Sequence, residues 1–248
     1  MIPKLIHYVW VGGNPLDELA LKCIASWKKF CPDYEIIEWN EKNFDVNQNL
    51  YCKQAYEKKK WAFASDYIRL KVLFDNGGVY MDTDVEVIKP IDEFLSLPAF
   101  SGFENDKNIP TGLIACQKGN LWVKRMLEFY DDAEFVNLAT NVETITRLTK
   151  EMYPQILYNN TEQHFNHFSV FPKDYFCANC FNTRKTNITE NTHTIHWFNG
   201  SWVVKRTFFQ KANANMKHFS KETIKFIIGK RLTEKIKNKR KMKRKSQL

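Results

Sequence analysis

Long apolar runs are missing from this 248-residue chain. No stretch approaches the roughly 18 residues a helix needs to cross a bilayer, so a membrane-spanning protein is not expected. The N-terminus, Met1-Ile2-Pro3-Lys4-Leu5-Ile6-His7-Tyr8-Val9-Trp10, lacks the charged segment, long apolar core and small-residue cleavage site of a secretory signal, and reads as a first strand. The six cysteines show no framework spacing, which together with that N-terminus predicts reduced thiols in a cytosolic protein. Cys177-x-x-Cys180 has no second pair to complete a zinc site. The Asn-x-Ser/Thr matches at Asn159, Asn187 and Asn199 carry little weight in a chain expected to stay inside the cell. There is no internal repeat. Net charge is also absent from the body: twelve Lys/Arg and two Glu follow Ser220, which leaves residues 1–220 at −1 out of the total of +9. A neutral body with no recognisable RNA- or DNA-binding module argues against a nucleic-acid partner.

What is present suits a globular enzyme: 44% hydrophobic and 15% aromatic residues, in a length that supports one sizeable core plus an appendage. Leu5 to Trp10 forms an apolar strand that stops at Gly12-Gly13. Pro15 opens a helix with Leu16, Leu19, Cys23, Ile24, Trp27 and Phe30 at three- and four-residue spacing. Cys31-Pro32-Asp33 ends it, and Tyr34 to Trp39 is a second strand. This β-α-β opening predicts an α/β fold with a mostly parallel, Rossmann-like central sheet and flanking helices. A second helix runs from about Lys60 through Phe74 and ends at Asn76-Gly77-Gly78. Val79 to Ile88 is strand-like around an acidic cluster, and Ser101 to Cys116 is loop and strand. Helices are expected at Leu121 to Tyr130 and Val142 to Met152, with short strands and loops over 156–200.

The sharpest chemical feature is Val79-Tyr80-Met81-Asp82-Thr83-Asp84-Val85. A strand running into two carboxylates two residues apart projects both to one face. Two unpaired carboxylates there ask for a cation, and Mg²⁺ or Mn²⁺ binds such groups while completing its shell with substrate phosphates. Alone, the motif also reads as a solvated acidic turn. Upstream, Asp66 and Arg69 share one face of a helix whose neighbours Ala62, Phe63, Ile68, Leu70 and Val72 are apolar. Charged groups there need partners or a ligand, and sugar hydroxyls pair well with a carboxylate and a guanidinium. A local ion pair on a surface helix is the alternative.

Three blocks together, Ile2 to Gly13, Trp61 to Arg69, and Gly77-Gly78-Val79-Tyr80-Met81-Asp82-Thr83-Asp84, resemble the sugar-binding Asp-x-Asp glycosyltransferases of family 32. That family includes capsular-polysaccharide and outer-chain mannosyl and galactosyl enzymes, and the same blocks resemble the catalytic domains of the large clostridial glucosylating toxins. A weaker block, Ile195-His196-Trp197-Phe198-Asn199-Gly200-Ser201-Trp202, resembles the family's C-terminal His…Ser-Trp segment, so the likeness covers about 1–205. It implies a GT-A (nucleotide-diphospho-sugar transferase) fold, retaining stereochemistry, Mn²⁺ or Mg²⁺ as cofactor and a nucleotide-sugar donor, UDP favoured. Trp10 matches the residue that stacks on the base, although a Trp ending an apolar strand also reads as core. Asp66 and Arg69 match residues holding the donor sugar, Asp82 the residue contacting ribose and sugar, and Asp84 the direct metal ligand. His196 matches a C-terminal metal ligand or diphosphate contact, and a hydrogen-bonded semi-buried imidazole is its other reading. Ser201 and Trp202 match donor-phosphate contacts on a closing loop. Val9, Tyr80 and Thr83 complete the donor site implied by the likeness. Many relatives carry a second His after this one, where the chain has Trp197, so the third protein ligand stays open. The implied reaction moves a hexose or N-acetylhexosamine to a saccharide or lipid-linked oligosaccharide, as in bacterial capsule synthesis. The leaving phosphate oxygen could accept the proton, since no carboxylate stands out as a base.

Three other classes compete. A haloacid-dehalogenase-type phosphatase also has an apolar strand and Asp-x-Asp, but Glu86 stands where Thr or Val is usual and no later acidic motif follows. A basic nucleic-acid binder would account for the tail alone. A non-catalytic carbohydrate-binding module needs no Asp-x-Asp metal site. The expected organisation is a catalytic domain over 1–215 and a tail over 216–248. In the tail Ile224, Ile227, Ile228, Leu232 and Ile236 stripe a basic amphipathic helix that ends in a polybasic segment. A helix of that kind suits the inner face of an anionic membrane, where each basic residue gains about 1 kcal/mol.

Overall fold

A computed structural model describes residues 1–135, 141–180, 183 and 185–199. All of them fall in one compact unit, Met1–Trp202. Ser201, Trp202 and the expected tail helix lie outside the described residues.

The first two strands and the helix between them form as the spacing predicts. β1 (Leu5–Val9) and β2 (Glu35–Trp39) pair in parallel across α1 (Glu18–Phe30). The helix begins three residues after Pro15, because Asp17 caps it and accepts from the Ala20 N–H at 2.8 Å. A helix unmarked in the sequence reading, α2 (Leu50–Glu57), follows; it is only eight residues long and its N-cap is Asn49. α3 (Trp61–Asn76) is the long central helix, stopped by Gly77 at φ +70°.

The chain then enters β3 (Gly78–Met81) and, after the acidic turn, β4 (Val85–Val87). β5 (Ala99–Gly102), β6 (Leu113–Cys116), α4 (Leu121–Asp131) and α5 (Asn141–Met152) come next. β7 (Gln163–His164), β8 (Ser169–Phe171), the four-residue α6 (Lys173–Phe176) and β9 (Thr194–His196) complete the described elements.

Seven strands form one sheet in the order β2-β1-β3-β6-β5-β8-β7. Five run the same way; β6 and β7 oppose them. The mostly parallel α/β architecture expected of a GT-A fold is therefore the one observed. Strand alternation loads both faces: Ile6, Tyr8, Val79, Met81, Leu113 and Ala115 pack in the core on the α1 side. Val9, Tyr80, Ile114 and Cys116 point the other way, into the core shared with α2, α3, α4 and α5. A separate ribbon pairs β4 with β9, setting Val85 opposite His196.

Candidate active site

Two local devices build the site. The first is the tight α3–β3 junction, in which Gly77 and Gly78 both take positive φ. A Cβ on Gly78 would lie 2.8 Å from the Leu5 carbonyl oxygen, so the strand passes too close to β1 for any side chain. Arg69 lies eight residues before Gly77, about 12 Å back along the helix. Asp82 lies four residues after Gly78, about 13 Å along the strand direction. The near-equal climbs return Arg69 to Asp82, with Nη1 3.2 Å from the carboxylate.

The second device is the β4–β9 pairing, which carries His196 across more than a hundred residues of sequence to Asp84. Its Nε2 lies 3.2 Å from Asp84 Oδ1, and Asn199 N–H donates to Asp84 Oδ2 at 2.7 Å. The His196 ring stacks on Phe198 at 4.1 Å and hydrogen-bonds Cys177 on its inner side. Gly112 leaves the room it needs, since a Cβ there would fall 2.8 Å from the imidazole.

Two sequence expectations change here. The carboxylates do not sit on one face of a strand: Asp82 and Asp84 stand in a turn between β3 and β4, closed by Val85 N–H on the Asp82 carbonyl at 2.9 Å. Nor are they unpaired. Asp82 Oδ1 accepts from the Tyr80 hydroxyl at 2.8 Å and faces Arg69, while Asp84 faces His196. Burial next to fixed cations and donors makes pairing cheaper than leaving two bare charges.

Asp66 and Arg69 are buried, as the apolar helix face predicts, but they meet protein first. Arg69 lies 3.3 Å from Asp66, stacks over the Tyr80 ring, and donates to the Thr111 carbonyl and to Ser65. Asp66 also accepts from Asn141 Nδ2. Burial pushes the Asp66 carboxyl up to about 7, with Arg69 opposing the rise and Asp82 adding to it. Burial works against the Arg69 charge, yet Asp82, Tyr80 and Asp66 more than restore it. Burial also raises the Tyr80 hydroxyl well above its usual range.

These groups line a cavity of about 430 Å³, a size that suits a small-molecule site. Val9, Trp10, Asp66, Arg69, Tyr80, Asp82, Thr83, Asp84 and His196, all proposed from sequence, border it together. Trp10 is half-buried there, its indole N–H donating to the Asn14 carbonyl at 2.6 Å, which leaves its ring at the wall rather than in the core. Sequence reasoning missed Trp61, Glu104, Thr111, Asn141 and Asn199 on the same walls. Trp61 and Asn199 belong to blocks already singled out, whereas the others carried no local signal.

Asp82, Asp84 and His196 each offer a ligand atom, all within 4.8 Å of one another. Two carboxylates and one imidazole fit a divalent cation, and the nitrogen favours Mn²⁺ over Mg²⁺. Without an ion the trio compensates itself. Burial alone would lower the His196 imidazole, but Asp84 holds it well above its usual value; burial alone would raise Asp84, but His196 and the Asn199 N–H hold it down. His196 would give up its bridging proton on binding a cation.

Residues 17–101 match the family described as the glycosyltransferase sugar-binding region containing the DXD motif. The likeness to this DXD sugar-binding family covers that segment, about a third of the chain. It is similar to the Legionella pneumophila protein called subversion of eukaryotic traffic protein A, 24% identical over 161 residues, 51% of this chain and 24% of that protein. It is similar to the initiation-specific alpha-1,6-mannosyltransferase of Candida albicans, 33% identical over 106 residues, 38% of this chain and 27% of that protein. An uncharacterized glycosyltransferase of Acanthamoeba polyphaga mimivirus is 25% identical over 219 residues, 82% of this chain and 84% of that protein. The chain thus spans about a quarter of the length of the first two relatives. The sugar-binding region contains Asp66, Arg69, Tyr80, Asp82 and Asp84; His196, Asn141 and Glu104 reach the cavity from outside it.

Proposed function

We propose that this chain is a metal-dependent glycosyltransferase that moves a hexose or N-acetylhexosamine from a nucleotide diphospho-sugar to a saccharide acceptor with retention of configuration. The observation that carries the reading is the Asp82–Asp84–His196 trio on a cavity wall that also holds the buried Asp66–Arg69 pair and the half-buried Trp10. UDP-sugars are the first donors to test, and GDP-mannose the next, because the Candida relative is named a mannosyltransferase.

In this reading Trp10 offers its ring to the base, and Asp82, held by Tyr80 and Arg69, presents its second oxygen toward ribose and sugar. Asp84 and His196, with Asp82 in support, would hold Mn²⁺ or Mg²⁺, which would neutralise the charge that builds on the departing diphosphate. Arg69 keeps its guanidinium in the network and so fixes Asp66 and Asp82 rather than reaching for phosphate. Ser201 and Trp202 follow Asn199 in sequence and are proposed to close on the donor phosphates. Against a haloacid-dehalogenase-type phosphatase stands Glu86, where Thr or Val is usual in that class.

The test is a screen of nucleotide sugars for hydrolysis and transfer, with and without Mn²⁺. Asp84→Asn is expected to abolish metal-dependent turnover; full activity in the presence of EDTA would sink the proposal. The basic tail is proposed to hold the enzyme peripherally on the inner face of the cell membrane, near a lipid-linked acceptor. A role in capsular or other surface polysaccharide synthesis is part of the same proposal.

A further inference from the structure

The cavity has one engaged wall and one that is not. On the β1 and α3 side, Asp17 caps α1 and accepts from Asn199, Ser65 binds Arg69, and Asp66, Tyr80, Asp82 and Asp84 are tied into the network described above. On the far side, between β5 and β6, Glu104 lines the cavity half-buried, its carboxylate in no hydrogen bond or ion pair with any described residue. The Asn108 side chain beside it is likewise unengaged, and so is that of exposed Glu143 on the first turn of α5.

Glu104 is held in place by its backbone. Phe103 N–H donates to Phe171 O and Glu104 N–H to Asn108 O, at 2.8 and 2.9 Å. Asn105 Oδ1 gathers the N–H groups of Lys107 and Asn108, and Ile109 N–H donates to Thr146 Oγ1. A rigid loop thus presents a carboxylate whose acceptor capacity the fold leaves unused. Burial raises this carboxyl above its usual value, with His196 opposing the rise. An unsatisfied, partly buried carboxylate is costly unless something donates to it.

We propose that the 104–108 loop forms the acceptor subsite, that Glu104 accepts a hydrogen bond from the acceptor sugar, and that this wall selects a neutral, hydroxyl-rich glycoside over an anionic one. The proposal rests on the glycosyltransferase reading above. Sugar hydroxyls donate readily to a carboxylate. A uronate or sugar phosphate would instead face Glu104 and Glu143, while the Arg69 guanidinium is already paired with Asp66 and Asp82 and His196 is turned to Asp84 and the cation site. Like charges without a free counter-ion reject the wrong substrate.

The test uses the full chain with Mn²⁺ and the nucleotide sugar it turns over, following nucleotide release as acceptors are added. The neutral probes are methyl α-mannoside, methyl α-glucoside and methyl β-galactoside; the anionic ones are glucuronic acid and mannose 6-phosphate. Neutral glycosides are expected to accelerate release and anionic ones not to. Glu104→Ala is expected to lower glycoside kcat/KM about 10- to 100-fold, as for a lost hydrogen bond to a charged group. Donor and Mn²⁺ affinities, measured by calorimetry, are expected to keep their parental values. Glu104→Gln, which retains one acceptor oxygen, is expected to recover part of the rate and to tolerate the anionic probes better. Acceleration by none of the neutral glycosides, or equally by the anionic ones, overturns the proposal. So does a fall in donor or metal affinity that matches the fall in rate, which would move Glu104 into the donor site. A parent protein with no metal-dependent donor binding or turnover overturns the glycosyltransferase reading instead.

Discussion

Arg69 is the residue on which the site turns. It touches Asp66 and Asp82 at once while its remaining N–H groups satisfy Ser65 and Thr111, so its planar fork cannot be replaced by a point charge. Arg69→Ala leaves two carboxylates facing each other in a buried space. Breaking a buried pair in this way costs about 3–5 kcal/mol. Chemical denaturation is expected to show a loss of that size, with Arg69→Lys restoring only part of it; a loss within experimental scatter would show that the network is not a stabilising unit. The same residue separates the roles of the two motif carboxylates. Asp82 is braced by Arg69 and Tyr80, whereas among the described residues the Asp84 carboxylate faces His196 and accepts from backbone N–H groups, partners a cation could displace or share.

At the scale of elements, β1 is locked to its neighbours through His7, a residue the sequence marked only as part of a strand. The Trp39 indole N–H donates to His7 Nδ1 at 3.0 Å, so the ring is neutral with its proton on Nε2, which donates to the Gly77 carbonyl at 2.8 Å. Burial lowers its pKa, and the Gly77 carbonyl only partly offsets this. A histidine depressed in the fold binds fewer protons there than in the unfolded chain. Its contribution to stability is therefore present above pH ~6.5 and is lost as pH falls through the lower folded value. His196, raised by Asp84, acts in the opposite sense, so the comparison with a His7→Gln variant isolates the effect. The gap in unfolding free energy between parent and variant is expected to shrink from pH 8 to pH 5; a gap that stays constant would show that His7 does not titrate with folding. The turn at Gly77-Gly78 and the β4–β9 ribbon act with this lock: one returns α3 onto β3, the other brings His196 home.

For the whole molecule, the charge split observed in sequence is the organising fact. A body near neutrality is joined to a tail whose twelve Lys/Arg and two Glu account for the whole of the net positive charge. Removing residues 221–248 is expected to abolish sedimentation with liposomes containing anionic lipid and to leave metal-dependent donor hydrolysis intact. Undiminished liposome binding by the truncated protein would end the membrane reading. The cavity, by contrast, gathers six carboxylates, Asp17, Asp66, Asp82, Asp84, Glu104 and Glu143, around one guanidinium and one imidazole. That imbalance explains why a diphosphate would need a cation to enter.

Sequence by itself was enough for most of the local pattern. Helix and strand periods, the Gly77-Gly78 stop, the shared helix face of Asp66 and Arg69 and the Asp-x-Asp motif are all short-range. The short helix α2 escaped because eight residues hold too few turns for a periodic signal. Only the tertiary structure decided that the two carboxylates sit in a turn and arrive already paired, that His196 meets Asp84 through a ribbon closing more than a hundred residues, and that Asn141 and Glu104 face the same cavity. Those are contacts between distant segments, set by strand order and helix packing rather than by any residue's neighbours in the chain, and no local spacing encodes them.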